Sequence, residues 1–96
     1  MNNYFLLSWN DEYLDMRIVS GPFHDSGKSI AIKAEVVRQL QSYLNKTSNE
    51  AELIYESKLA DESDFPEIDL NIYTEGASFR YNGDNEERLQ VVQYDF

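Results

Sequence analysis

The stretch Gly21-Pro22-Phe23-His24-Asp25-Ser26-Gly27-Lys28-Ser29 contains two sets of residues able to do chemistry. Gly27-Lys28-Ser29 is how a phosphate-binding loop ends, where glycines let backbone N–H groups cradle phosphates and the lysine reaches the outer ones. The spacing is wrong for that role. Such a loop has four residues between its first glycine and Gly-Lys-Ser, and five separate Gly21 from Gly27. A four-residue spacing would put Pro22 in the glycine position, where its fixed φ prevents the turn. His24-Asp25-Ser26 has the residue types of a hydrolase triad. Triads are assembled by the fold from separated positions, and Ser26 lacks a nucleophile elbow. Both sets read as a polar loop crossing from a strand to a helix.

Other chemistries fare no better. One histidine and no cysteine exclude the usual zinc shells. Asp61-Glu62-Ser63-Asp64 offers oxygen ligands, but Phe65-Pro66 stand where a calcium loop needs a ligand and a glycine. Eighteen acids supply carboxylate pairs everywhere, so a pair alone does not indicate glycoside chemistry. The reading is of a non-catalytic chain with no metal and no cofactor.

The informative feature is charge. The net charge is −10 over 96 residues. Residues 1–46 balance five acids with five bases, whereas residues 47–96 hold thirteen acids against Lys58, Arg80 and Arg88. Such a field repels nucleic acid and anionic membranes and attracts basic partners. The N-terminus has no basic region before its apolar residues and meets Asp11 early, and no apolar run is long enough to span a membrane. With no cysteine, these features predict a cytoplasmic protein.

The elements come next. The length predicts one domain, 1–96. Tyr4 to Trp9 reads as a strand, and Leu14, Met16 and Ile18 alternate with Asp15 and Arg17, so about 3–19 forms a hairpin closed by Ser20-Gly21-Pro22. Ser29 to Lys33 reads as a short strand or a helix start. The main helix is placed at about 34–45, with Val36, Val37, Leu40, Tyr43 and Leu44 on one stripe. In Glu50 to Lys58, Glu52, Ile54 and Glu56 share one face of an edge strand, with a helix as the competing assignment. About 67–95 reads as a three-stranded meander. Ile68, Leu70 and Ile72 face inward, Glu75-Gly76 turns the chain, and Asn82-Gly83 signals a two-residue hairpin. The predicted fold is α+β, an antiparallel sheet of about five to six strands with one main helix packed on one face. Its core would join Val37, Leu40 and Leu44 to Leu14, Met16, Ile18, Ile68, Leu70 and Ile72.

This profile resembles the small acidic immunity proteins of bacterial toxin systems, including contact-dependent inhibition systems. The resemblance rests on size, the acidic half, and the stretches EIDLNIYTE and LADESDFPEID. It transfers no individual residue. It implies a compact inhibitor that occludes a basic toxin, of the nuclease kind, by setting carboxylates where substrate phosphates would lie. The residues that would meet such a partner are Glu52, Glu56, Asp61, Glu62, Asp64, Glu67, Asp69, Tyr73 and Glu75. The expected state is a monomer or weak dimer. A small adaptor domain, dimerising through an edge strand, is the alternative. An acidic mimic of nucleic acid directed at a DNA-binding protein is the third.

Overall fold

A computed structural model describes residues 3–10, 12, 15–60, 65–84 and 86–94. The chain runs β1 (Tyr4–Asn10), β2 (Arg17–Phe23), a short 3-10 turn (Asp25–Gly27), α1 (Lys28–Leu44), α2 (Ser48–Leu59), β3 (Ile68–Tyr73), β4 (Gly76–Tyr81) and β5 (Glu87–Gln93). The strands form one sheet in the order β2-β1-β5-β4-β3, with every neighbouring pair antiparallel. The fold is α+β. No helix among the described residues is long and apolar enough to cross a membrane.

Both helices lie on the same face of the sheet. Leu6 pairs with Val91, Ala77 with Leu89, and Phe79 with Leu70, so these side chains share one side. There they meet Ile32, Val36 and Leu40 of α1 and Ala51, Ile54 and Tyr55 of α2 in one buried cluster. Leu40 and Ile68 fill their expected core positions, and Val37, Leu44, Leu70 and Ile72 pack half-buried around them.

The helical layer departs from the sequence reading in two places. Helix α1 begins at Lys28, so the alternation seen in Ser29 to Lys33 is its first turn. Residues 50–58 are helical, not an edge strand. Ile54 is buried while Glu52 and Glu56 are exposed, a combination that one strand face cannot give. On a helix, positions 52 and 56 lie one above the other, and 54 points elsewhere. Thr47 fixes the start of α2: its hydroxyl accepts from the Glu50 N–H at 3.2 Å while the Glu50 carboxylate accepts from the Thr47 N–H at 3.1 Å. Such a reciprocal cap is worth about 1 kcal/mol.

The N-terminal hairpin alternates as expected, but it presents its other side to the helices. Ile18 pairs with Leu7 of β1, on the face away from Leu6, so Ile18 is 58% exposed and Met16 63% exposed. Neither belongs to the core. Arg17 takes the helix side, opposite Ser8. Leu14 lies outside the described residues. Strand β2 also continues through Ser20-Gly21-Pro22 to Phe23, with register breaks against β1.

In the meander the tight hairpin is Thr74-Glu75, closed by the Tyr73–Gly76 pair. Asn82 and Gly83 adopt left-handed φ of 51° and 76°, with the Asp84 N–H bonded to the Tyr81 carbonyl at 2.9 Å. That is the turn their types favour. The loop is nonetheless wider than two residues, because pairing between β4 and β5 stops at Phe79–Glu87.

Candidate functional site

Both helices cover one face, and among the described residues the other face of the sheet is open. Its side chains form rows across the strands. One row runs Ile18, Leu7, Gln90, Gly76, Tyr73, and the next runs Trp9, Arg88, Ser78, Asn71. Tall side chains stand at Trp9 and Tyr73, and β4 between them offers only Gly76 and Ser78. The result is a hollow of about 280 Å³, with Glu75, Glu86 and Arg88 also in its lining. Ser78 is only 6% exposed although no helix covers it, because these neighbours surround it.

The charges around the hollow are held in place. Arg88 donates to the Glu86 carboxylate at 2.9 Å. Glu75 accepts from Lys28 Nζ at 2.7 Å. Both carboxylates therefore already hold a cation of this chain, and the two aromatic rings are what suits a further lysine or arginine side chain, by cation–π contact. The same face continues as an apolar stripe through Phe5, Leu7, Ile18 and Val92, with Tyr94 set edge-on to Phe5 at 5.4 Å.

The residues singled out in the sequence fall in different places. Asp69, Tyr73 and Glu75 lie on or beside the open face, with Glu67 exposed just before β3. Glu52 and Glu56 are in the helical layer, where both grip Lys33 of α1 at 3.0 and 2.9 Å. Asp61, Glu62 and Asp64 lie outside the described residues. Trp9, Ser78, Gly76 and Arg88 escaped the sequence reading. Tyr4 to Trp9 is apolar on both faces, and such a run does not say which side will be covered.

The loop at Gly21 to Ser29 has a different occupation from the one its motif suggests. Lys28 bonds Asp25 at 2.6 Å and Glu75 at 2.7 Å, and its ammonium lies 4.8 Å from the Tyr4 ring centre. These carboxylate bonds, Asp25 first, raise its pKa. An ammonium already held by two carboxylates is a poor seat for a phosphate, which they repel. Asp25 turns to Lys28, and His24 and Ser26 are exposed. Among the described residues, no three acidic or histidine side chains converge as a metal cluster.

A second polar cluster sits where α1 meets the sheet. Glu35 is buried, accepts from Arg38 Nε at 2.9 Å and from Gln39 Nε2 at 2.8 Å, and Gln39 Nε2 also reaches Ser8 Oγ at 3.3 Å. Nearby, Glu87 accepts from Asn10 at 2.8 Å and from the Tyr43 hydroxyl at 2.9 Å. Partial burial, then that bond to Glu87, pushes the Tyr43 phenol up to about 12. Burial raises the Glu35 carboxyl, but the hydrogen bonds of Arg38 and Gln39 and the charges of Arg38 and Arg17 outweigh it and hold the group low. A carboxylate with a lower pKa folded than unfolded adds stability that is complete above its unfolded value. That stability is lost as pH falls through the folded one. The free-energy gap between wild type and Glu35→Gln, followed by urea unfolding from about pH 6 to about pH 3, should therefore narrow as pH falls. A gap that widens on acidification would contradict this account.

Comparison of the chain with protein-family models, with curated proteins and with solved structures gave no match.

Proposed function

We propose that this protein is a non-catalytic inhibitor of the immunity-protein kind, which takes a basic toxin domain, such as a nuclease, on the open face of its sheet. The observation that carries the reading is the uncovered face itself. It sets Trp9, Tyr73 and Arg88 around one hollow, and Trp, Tyr and Arg are the side chains that most often dominate binding energy. The excess negative charge steers a basic partner toward it. Of the acids emphasised by the sequence, Lys33 offsets Glu52 and Glu56, and Lys28 offsets Glu75. Among the described residues, Glu67 and Asp69 form no ion pair, so they offer the charge nearest the open face.

The test begins with affinity capture from the native cell, using wild type and a Trp9→Ala, Tyr73→Ala variant side by side. The captured protein is then purified and its rates measured at two salt concentrations. Trp9→Ala should speed dissociation about tenfold or more, the effect of a packed anchor. Asp69→Lys should slow association, and the difference should shrink as salt rises. Stoichiometric wild-type protein should silence the partner's activity on nucleic acid. Equal capture and equal rates for both proteins would remove the open face from the reading.

A further inference from the structure

The sheet has two edges, and they differ. Strand β2 breaks register twice against β1 and carries Pro22, which has no N–H to offer. These are devices that blunt an edge. Strand β3 is regular. It pairs with β4 without interruption from Ile68–Tyr81 to Tyr73–Gly76 and contains neither glycine nor proline.

The direction of its backbone groups follows from one bond. The Asn82 N–H donates to the Glu67 carbonyl at 2.9 Å, so residue 67 faces β4. In an antiparallel ladder residues two apart share a direction. Asp69, Asn71 and Tyr73 therefore also turn their N–H and C=O groups to β4, and Ile68, Leu70 and Ile72 turn theirs outward. The Ile68 N–H is taken by the Phe65 carbonyl at 3.1 Å. Among the described residues, no loop or turn bond uses the outward groups of Leu70 and Ile72.

The flanking side chains select what can pair there. From residue 67 to residue 75 the chain carries Glu67, Asp69 and Glu75 and no base. A second copy would set acids against acids, which destabilises cross-strand pairing. We infer that the outer edge of β3, at Leu70 and Ile72, accepts an extended basic segment of the partner as a sixth strand. Main-chain bonds would supply the attachment, and Lys or Arg side chains on the open-face side would lie beside Asp69 and point toward the hollow at Tyr73. This rests on the reading of a basic protein partner and adds how that partner is gripped.

The probe is a hexapeptide alternating lysine with valine, titrated into the isotope-labelled protein and followed by amide signals and hydrogen exchange. At saturation the amides of Leu70 and Ile72 should exchange about tenfold more slowly, and those of Asp69 and Asn71 should hardly change. A peptide alternating glutamate with valine, and the lysine peptide N-methylated on the edge-facing amides, should both lose the effect. Unchanged Leu70 and Ile72 amides overturn the inference, as does equal protection by the acidic peptide. Protection that grows with protein concentration and no peptide would make a second copy the occupant, which also overturns it. The two readings separate cleanly. If only the Trp9 indole and Arg88 guanidinium signals move, the edge is wrong and the open face stands. If the edge amides are protected and Trp9 and Tyr73 are indifferent, the open face is wrong.

Discussion

Leu6→Ala is expected to destabilise the protein by about 2–5 kcal/mol, the range for truncating a fully buried leucine. Leu6 has no exposed surface. It sits on β1, between two other strands, and meets the helices on its inner side. A domain of this length has a total stability on the order of 5–15 kcal/mol, so the loss is a large share of it. Ile18→Ala should cost no more than about 0.5 kcal/mol, because that side chain is already mostly in water. Urea unfolding of both variants, with the slope held constant, measures the contrast. Similar losses at the two positions would place the helices on the wrong face of the hairpin.

Gly76→Ala should cost about 3 kcal/mol, toward the upper end of overpacking effects. A methyl group there would run into the Leu89 carbonyl oxygen and crowd the Gln90 Cα, both of them backbone atoms. No rotamer change relieves that contact, so β4 and β5 must move apart. The strands that would separate are those beneath the hollow. On the proposed function, partner binding should accordingly fall even where the protein remains folded at low temperature. Gly83→Ala is the useful control. It meets no atom within 4 Å, and its left-handed φ of 76° costs only about 1–2 kcal/mol for a side chain. The comparison is read from thermal unfolding and from affinity at a temperature where each variant is folded. A milder effect at Gly76 than at Gly83 would show that the close approach relaxes easily.

Periodicity made some parts of this fold legible and left others ambiguous. The alternation of Ile68, Leu70 and Ile72 fixes a strand and its inner side, whereas the α1 stripe fixes a helix but not its whole inner face: Tyr43 is exposed, and Ile32, Glu35 and Gln39 are buried beside Val36 and Leu40. The second helix was harder because Glu52, Ile54 and Glu56 fit a two-residue period as readily as a helical one. The signal missed there is Thr47 followed three residues later by Glu50, a capping pair that reads as a helix start and that the structure forms. The face of the β2 hairpin could not be read locally. Alternation says that Ile18 and Arg17 lie on opposite sides, but only the path of the helices says which side is covered. The hollow depends on strand order, since Trp9 reaches its surroundings through Arg88 on the last strand. The charge division along the chain was real, yet it did not become a division in space. Lys28 and Lys33 from the balanced half reach across to Glu75, Glu52 and Glu56 of the acidic one.

The ladder between β1 and β5 joins residues 4–10 to residues 87–93, and the Tyr94 N–H also bonds the Asn3 carbonyl at 3.0 Å. During synthesis, then, the inner face of the first hairpin must wait until the final strand of this region has been made. Contacts of such long sequence separation slow folding, because the loop must close before the pairing rewards it. The waiting intermediate exposes Leu6 and an unpaired strand edge, the kind of surface that aggregates or engages chaperones. The same adjacency gives this region a route to circular permutation. A short linker from position 94 to position 3, with new ends opened at Asn82-Gly83, would make β5 and β1 neighbours in sequence and turn the slowest pairing into a local hairpin.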